Sequence, residues 1–343
     1  MKKVEIIGLD CLYKSMTRCV KNVIWKPSVS SFSLNWLEKL LKLEKELNTN
    51  TYIGKKPKPV LVTYPKRREC LCIPFRDRVY QRSLNDNSLY PRVTRSFIKD
   101  NCACQKNKGT NFARNVTKSF LRKFYINNGK SIKGYVAHID IKSYYKSMHH
   151  SLAKDVFARY VTKDISIMAN KVLDSQYSGD VGFNPGSQMV QIAGIAVLND
   201  LDHYCKEKLH LKYYLRYMDD FIIIHENHDY LNYCIKAIEY KLSDLGFRIH
   251  PIKTHISPLN QGFLFLGFTF KITKTGKVLM LINGKNVKHE KQKLKRMVKK
   301  AKLGLIPKEK VQECYNSWKA HASVGTSYKL LCKMDKFYVN LWR

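Results

Sequence analysis

Two adjacent aspartates, Asp219 and Asp220, stand between the apolar runs 213–217 and 221–224. The pattern predicts a β-hairpin with both carboxylates at its turn, where like charges repel each other. A divalent cation would remove this repulsion, and Mg²⁺ is often held by one or two carboxylates together with substrate phosphates. The pair therefore indicates a metal site, and the alternative is a solvated Asp-Asp turn, since aspartate is common in turns.

A third carboxylate, Asp140, ends the short β-type run 134–141 (GYVAHIDI). A second acidic strand end of this kind is what a shared cation site beside the hairpin requires. Two cations held by such a cluster can stabilise both the attacking 3′-oxygen and the leaving pyrophosphate of an in-line displacement. The three aspartates together favour nucleotidyl transfer.

The charge of the chain points to a nucleic-acid partner. The 343 residues include 62 Lys and Arg against 27 Asp and Glu, a formal charge of +35 that is costly unless a polyanion neutralises it. The 44% hydrophobic content excludes disorder throughout. The sequence contains no apolar run long enough to span a bilayer and no signal-peptide pattern at its start, so we expect an intracellular protein without membrane association. The ten cysteines lack zinc spacing and are expected to be reduced, buried thiols.

The elements that must position the aspartates follow from periodicity and breakers. An amphipathic helix is predicted over 33–48, with Leu34, Leu37, Leu40, Leu41 and Leu47 at helical spacing. A basic β-hairpin turns at 66–68. Further helices are predicted over 111–125, 151–159, 164–173, 190–205 and 231–245, followed by a strand pair formed by 246–256 and 262–270 and by a basic helical tail.

The ordered set of these motifs resembles the reverse transcriptases over roughly residues 55–270. Asp140 matches the family's first palm motif, 186–191 (GSQMVQ) its second, and 217–220 (YMDD) its third; 246–254 and 262–268 match later motifs, and 66–81 and 102–113 match finger motifs. The resemblance implies an α+β right-hand polymerase. We expect an N-terminal helical extension over 1–54, fingers over 55–134, a palm over 135–270 with part of the fingers inserted at about 150–180, and a helical thumb over 271–343.

The resemblance also implies the roles of the acidic residues. Asp140, Asp219 and Asp220 would be catalytic and would hold two Mg²⁺ ions, or Mn²⁺, with the backbone carbonyl of Ile141 adjoining. Tyr145 would stack below the sugar of the incoming nucleotide and select deoxynucleotides; the alternative is a core aromatic. Lys253 matches the lysine that the family uses near the leaving pyrophosphate, where a cation can protonate or screen the leaving oxygen.

Basic and polar residues are expected to bind the nucleotide and the nucleic acid. Lys66, Arg68 and Gln191 are assigned to dNTP binding, with Arg68 able to make bidentate phosphate contacts. Lys106 and Lys108 are weaker candidates for phosphate contacts. The segment 285–310 carries eleven Lys and Arg against two Glu, which is typical of a helix that grips the nucleic-acid backbone. The assigned contacts there are Lys291, Lys295, Arg296 and Lys299.

The expected partners are an RNA template, a DNA or RNA primer and dNTPs. The resemblance extends to the domesticated bacterial reverse transcriptases, and no RNase H, integrase or HNH endonuclease domain is expected. A cytoplasmic bacterial enzyme that works with a dedicated RNA in antiviral defence is preferred, and an accessory protein or a second copy of the chain stays open as a partner. Mutagenic copying by a diversity-generating enzyme is the close alternative; Val190, where that group has serine, counts against it. A basic RNA-binding scaffold without catalysis is the alternative from another class.

Overall fold

The chain begins with a cluster of four helices. The computed structural model describes residues 4–63 and 67–343. The helices are α1 (Val4–Ile7), α2 (Leu9–Val20), α3 (Pro27–Leu34) and α4 (Trp36–Asn48). The single helix predicted from residue 33 is therefore interrupted at Asn35, whose φ and ψ of −117° and 40° are not helical. The leucines that α4 buries are Leu40, Leu43 and Leu47, whereas Leu34, Leu37 and Leu41 are exposed.

A two-stranded hairpin and four short helical segments follow. Strands β1 (Lys58–Val62) and β2 (Arg68–Cys72) pair in antiparallel fashion, as predicted. Helix α5 (Phe75–Leu84) continues through a π-helical turn (Asn85–Leu89) into α6 (Tyr90–Val93) and a 3₁₀ turn (Thr94–Ser96). The backbone N–H of Leu71 donates to the carbonyl of Pro185 over 2.8 Å, which fastens the hairpin to a later loop. A side chain at Gly186 would collide with the Leu71 carbonyl, so the close approach needs glycine.

The central sheet has four antiparallel strands in the order β4-β5-β3-β6. They are β3 (Tyr135–Asp140), β4 (Tyr213–Tyr217), β5 (Asp220–His225) and β6 (His255–Pro258). The predicted pairing of 246–256 with 262–270 is wrong. Strand β6 pairs with β3, and residues 263–272 form a second sheet instead. Pattern alone does not reveal partners, since both segments are apolar enough to pair with any buried strand.

Seven helices connect and cover these strands. Helix α7 (Thr110–Asn127) leads into β3. After β3 come α8 (Tyr144–Ser147), α9 (His150–Tyr160), α10 (Lys163–Gln176), α11 (Gln188–Val197) and α12 (Asn199–His203), with α13 (His228–Asp244) after β5. The helix predicted over 190–205 is thus two α-helices and a π-helical turn (Tyr204–Lys208).

The C-terminal part combines a three-stranded sheet with three helices. The strands of the sheet lie in the order β7 (Phe263–Phe265), β8 (Phe268–Ile272) and β9 (Val278–Ile282). The helices are α14 (Gly284–Lys302), α15 (Lys308–Ser323) and α16 (Tyr328–Trp342). The expected boundary between palm and thumb at residue 270 would cut through β8. A boundary after Ile282 keeps the three paired strands together. Strand β9 has no counterpart in the sequence-based prediction.

The central sheet lies between two apolar cores because its strands alternate. Ala137, Ile139 and Phe221 face a core shared with the N-terminal helices and α9–α11. Val136 and Ile222 face a second core shared with β7–β9 and α14–α16. Polar groups collect at one end of this sheet, and that end is the candidate site.

Two simpler expectations concern membranes and cysteines. Among the described residues, no helix is long and apolar enough to cross a membrane. All ten cysteines are free thiols, but only Cys102, Cys205 and Cys234 are buried, whereas Cys72, Cys104 and Cys332 are exposed. The expectation of buried thiols therefore holds for three of the ten.

Candidate active site

Asp219 and Asp220 lie at the tight turn between β4 and β5. Tyr217 pairs with Asp220, so the turn has only Met218 and Asp219 between the paired positions. Met218 has φ of +58°, a left-handed conformation that costs energy for a residue other than glycine. The side chain of Arg216 donates from Nη1 to the Met218 carbonyl over 3.0 Å and thereby supports the strained turn.

Arg216 is itself held by a fully buried ion pair with Asp202. Its Nε and Nη2 donate to the two carboxylate oxygens of Asp202 over 2.7 and 2.6 Å, and Tyr214 donates to the same carboxylate over 2.6 Å. Both charged side chains have zero exposure. Sequence analysis missed this pair; the signal for it was an arginine inside the apolar strand 213–217, because a buried arginine almost always has a partner.

Asp140 lies beside the turn because β3 and β5 are neighbours. Asp140 and Asp220 are directly opposite in the β3–β5 register. The N–H of Ile141 donates to the carbonyl of Asp219 over 3.3 Å, which ties the end of β3 to the hairpin. The structure therefore brings the three predicted carboxylates, and the backbone of Ile141, to one end of the central sheet.

The electrostatics of this end are unfavourable for three carboxylates. Burial, followed by the neighbouring charge of Asp220 and then that of Asp140, raises the pKa of Asp219 to about 6, while its own backbone N–H and Lys253 act in the opposite direction. Asp140 is only 7% exposed. Buried like charges of this kind cluster at functional sites more than in structural turns.

Lys253 compensates part of this charge. Its Nζ donates to both oxygens of Asp140, over 2.8 and 2.9 Å. The loop that carries it is anchored to β3, since His250 N–H donates to the Asp140 carbonyl over 2.7 Å and the Asp140 N–H donates to Thr254 Oγ1 over 3.3 Å. The side chain of Lys253 is half exposed, so its ammonium can reach both the carboxylate and solvent.

His138 is a further neighbour that sequence analysis missed. Its Nε2 lies 3.5 Å from Oδ1 of Asp220, and its ring contacts those of His255 and Phe265. The signal for it was the spacing of two from Asp140 on the same strand, which puts both side chains on one face of the sheet.

The carboxylates have the chemistry of a metal site but not a ready-made geometry for one. Asp140, Asp219 and Asp220 supply oxygen ligands of the type that hard divalent cations take. As arranged, no group of three or more His, Cys, Asp or Glu side chains in the described part of the chain could hold a metal ion. The ammonium of Lys253 donates to both oxygens of Asp140, so this carboxylate is already paired.

Tyr145 packs beside the acidic cluster. Its ring approaches Gly194 so closely that an added Cβ there would lie 2.9 Å from the ring. Its hydroxyl is buried and has no hydrogen-bond partner among the described residues, and burial raises its pKa. The adjacent Tyr144 is a core residue whose hydroxyl donates to the Gly194 carbonyl.

Gln191 lines a small groove of about 270 Å³ with finger residues. Lys106 and Gln188 lie in the same groove, and Lys106 Nζ sits 5.3 Å from the ring centroid of Tyr90. Val190, between the two glutamines, is 2% exposed and belongs to the core. The valine therefore has a packing role in this structure.

The other predicted nucleotide and phosphate residues are more scattered. Arg68 is exposed at the start of β2, whereas Lys66 lies outside the described residues. The ammonium of Lys108 donates to the carbonyls of Lys99 and Asn101, each over 2.9 Å, and burial lowers its pKa. It therefore stabilises a loop in this structure.

Helix α14 presents the basic side chains predicted for backbone contacts. Lys295, Arg296 and Lys299 are exposed, while Lys291 is half-buried with its Nζ 5.1 Å from the ring centroid of Phe337. The helix is fixed from its other face by Leu294 and Val298, which are buried. The four cations are thus carried by a rigid element at the edge of the second core.

Comparisons with known proteins agree with this architecture. Residues 55–270 match the family described as reverse transcriptase (RNA-dependent DNA polymerase). The comparison with curated proteins found no match. Apo telomerase from Candida tropicalis is similar in structure, with a TM-score of 0.50 and 14% identity over 76% of this chain and 53% of that chain.

Two further telomerase structures are similar as well. A C-terminally truncated Candida tropicalis telomerase has a TM-score of 0.49 and 15% identity, over 66% of this chain and 55% of that one. Telomerase from Candida albicans in complex with a TWJ fragment of telomeric RNA has a TM-score of 0.48 and 10% identity, over 86% of this chain and 61% of that one. The present chain spans about half the length of the first of these telomerase chains. At such identity the likeness concerns the fold, and the predicted combination of helices with antiparallel sheets is confirmed.

Proposed function

The chain belongs to the reverse transcriptase family of RNA-directed DNA polymerases, and on that premise we propose that it extends a primer 3′-hydroxyl with deoxynucleotides on an RNA template. The observation that carries the proposal is the register of β3 and β5, in which Asp140 faces Asp220 at the turn that also bears Asp219. The reaction would be an in-line attack of the 3′-oxygen on the α-phosphate, with pyrophosphate as the leaving group.

We assign the binding of two divalent cations, Mg²⁺ or Mn²⁺, to Asp140, Asp219 and Asp220. When bound there, the cations would neutralise the triphosphate and the charge that develops on the attacking and leaving oxygens. The raised pKa of Asp219 and the closeness of Asp220 support the assignment, because the uncompensated carboxylates repel one another. The carbonyl of Ile141 adjoins the cluster and is kept as a further candidate ligand.

Lys253 has two tasks in this proposal. In the protein alone it neutralises Asp140, and during the reaction its half-exposed ammonium would screen the leaving pyrophosphate or give it a proton. Moving between these tasks requires the Lys253–Asp140 contact to open. Tyr145 would support the sugar of the incoming nucleotide, with Gln191, Arg68, Lys66 and Lys106 around its base and phosphates.

The domain assignment follows the family. Residues 1–54 form the N-terminal extension and 55–134 the fingers, the palm begins at 135 with part of the fingers inserted at about 150–180, and the thumb follows the palm. The pairing of β8 with β9 supports ending the palm after Ile282. On α14, Lys291, Lys295, Arg296 and Lys299 would hold the primer–template backbone without reading its sequence.

For the biological role, we propose a bacterial enzyme that copies a dedicated RNA in antiviral defence, in the cytoplasm. The excess of positive charge supports a stable RNA partner. A diversity-generating enzyme remains the second candidate, favoured by the likeness of segment 186–191 to the G-x-x-x-S-Q pattern of that group and opposed by Val190, which stands where the pattern has serine. Sequencing the nucleic acid that co-purifies from the host separates them, because only the second copies adenines with frequent errors.

The test of the activity is primer extension by purified protein with Mg²⁺ on an RNA template. We expect DNA synthesis from dNTPs, and loss of at least about a hundredfold in Asp219→Asn/Asp220→Asn. Asp229→Asn is the matched control, since that side chain is 97% exposed. Equal activity in the double variant would remove the proposed site, and no synthesis by any form would favour a catalytically silent RNA-binding scaffold.

A further inference from the structure

A basic groove lies between the N-terminal helices and the base of the finger hairpin. It has a volume of about 690 Å³ and is bordered by α3, α4, the segment that enters β1, and the start of α5. Eight cationic side chains line it, and the described lining residues include no Asp or Glu. The eight are Lys26, Lys39, Lys42, Lys55, Lys56, Lys58, Arg76 and Arg78. None of the described residues of the candidate active site borders this groove.

Most of this charge is uncompensated. Within the described ranges 4–63 and 67–343, Arg76 is the lining cation that forms ion pairs, with Glu46 at 3.0 Å and Asp77 at 3.4 Å. Lys42, Lys55 and Lys56 are exposed. Seven cations without a carboxylate partner in one concave surface repel each other, and a polyanion would relieve that repulsion.

Arg78 and Trp25 add groups that suit a nucleic acid. The Nε of Arg78 is buried without a hydrogen-bond partner among the described residues. Trp25 is 74% exposed, and Nζ of the adjacent Lys26 lies 5.4 Å from its ring centroid. An exposed aromatic beside cations is the combination with which proteins bind single strands, since bases stack on the ring while cations follow the phosphates.

We propose that this groove binds the phosphodiester backbone of a single-stranded RNA segment outside the polymerase cleft, with Trp25 as a stacking platform. The apolar lining residues Phe32, Leu43 and Phe75 are buried, and every charged side chain among the described lining residues is cationic, which suits the phosphates of a nucleic acid. A concave surface also fits a strand better than a flat bilayer. The inference rests on the proposed function only in taking RNA as the nucleic acid.

The test compares two triple charge reversals that change the net charge equally. Lys42→Glu/Lys55→Glu/Lys56→Glu alters the groove, and Lys45→Glu/Lys163→Glu/Lys236→Glu alters exposed lysines elsewhere. Lys45 lies on the same helix as Lys42. Binding of an unstructured RNA of about 20 nucleotides is measured by fluorescence anisotropy over a series of salt concentrations, with a short primer–template duplex present in excess to occupy the cleft.

The groove variant should bind this RNA at least about tenfold more weakly, and its log–log salt slope should fall by about 2, since each lost phosphate contact contributes about 0.7 for a single strand. The control triple should stay within about threefold, and Trp25→Ala should cost about tenfold through lost stacking. In the intact protein, the RNA should also protect Lys42, Lys55 and Lys56 from acetylation, as mapped by mass spectrometry.

Equal weakening in both triple variants, or no protection of the three lysines, would overturn the proposal in favour of unspecific charge. The proposal would also be overturned if the groove variant lost binding to phosphatidylserine vesicles but still bound the RNA. That result would identify the groove as a membrane-binding surface. Extension of a pre-annealed duplex should stay within about twofold of the unmodified protein in the groove variant. If the unmodified protein extends no primer, the proposed polymerase function fails while the groove result stands by itself.

Discussion

The ammonium of Lys253 lies 2.8 and 2.9 Å from the two carboxylate oxygens of Asp140. One cation thus occupies a carboxylate that we assign to metal binding. Lys253→Met should therefore bind Mn²⁺ about fivefold more tightly, because a half-exposed ion pair of about 1 kcal/mol no longer competes. Primer extension should be slower because the leaving pyrophosphate loses its cation. Electron paramagnetic resonance measures the Mn²⁺ affinity, and Lys253→Arg is the control that keeps the charge; unchanged affinity in the methionine variant would contradict the competition.

The raised pKa of Asp219 predicts a pH-dependent stability. Its pKa is about 6 in the folded chain and has the ordinary value of 3.8 when unfolded, so the folded state holds the proton more tightly. The associated stability is fully present below 3.8 and is lost as the pH rises through 6. Asp219→Asn in EDTA should therefore be more stable than the unmodified chain by about 1 kcal/mol at neutral pH, and the difference should shrink near pH 4. Urea unfolding at both pH values measures it, and a difference that does not vary with pH would contradict the shift.

Replacing Arg216 should destabilise the fold much more than replacing an exposed arginine whose nitrogen lies at a similar distance from its carboxylate partner. Arg216→Met leaves Asp202 buried without its partner and should cost about 3–5 kcal/mol. Arg159→Met breaks an exposed pair with Asp200, also near 2.7 Å, and should cost less than about 1 kcal/mol. Urea unfolding compares the two.

A third variant, Arg216→Lys, separates the support of the turn from the overall stability. Arg216→Lys keeps the charge but cannot bridge Asp202 and the Met218 carbonyl together. At a temperature where it stays folded, it should still extend primers more slowly than the unmodified chain. Full activity in Arg216→Lys would mean that the contact to Met218 is dispensable.

Tyr145 should select deoxynucleotides through its ring and not through its hydroxyl. The hydroxyl is buried without a partner among the described residues, so Tyr145→Phe should fold with equal or slightly higher stability and keep its selectivity. Tyr145→Ala should raise ribonucleotide incorporation by about tenfold or more because the steric barrier is gone. Gly194→Ala, which pushes on the ring, should also alter selectivity. Competitive incorporation of a ribonucleotide and its deoxy form measures this, and an unaltered ratio in Tyr145→Ala would remove the residue from the role.

The group of aspartates at one end of the central sheet could be predicted from the sequence, because strand ends and turns have local sequence patterns. Asp219 and Asp220 stand between two apolar runs, and Asp140 follows a third, so their meeting needed only the assumption that the strands are neighbours. The basic residues of α14 were equally visible, because charge and helical periodicity coincide there.

The identity of long-range partners left no such pattern, although the arginine inside the apolar strand 213–217 indicates that it has a partner. The pairing of Arg216 with Asp202 and of β6 with β3 depends on tertiary packing, and no local preference encodes it. The exposure of Leu34, Leu37 and Leu41 could not be predicted either, since the break at Asn35 rotates the helix face that becomes buried. Residue types thus indicated the candidate reactive groups, whereas the groups that hold them emerged only from the packed chain.

The strand order of the central sheet has a consequence for biosynthesis. Strand β3 lies between β5 and β6, which are both translated much later. While a ribosome works through residues 141–225, the nascent chain carries a hydrophobic strand with both edges unpaired, which is an aggregation hazard in a slowly assembled topology. Chaperone supply and elongation speed over this interval should therefore govern the soluble yield.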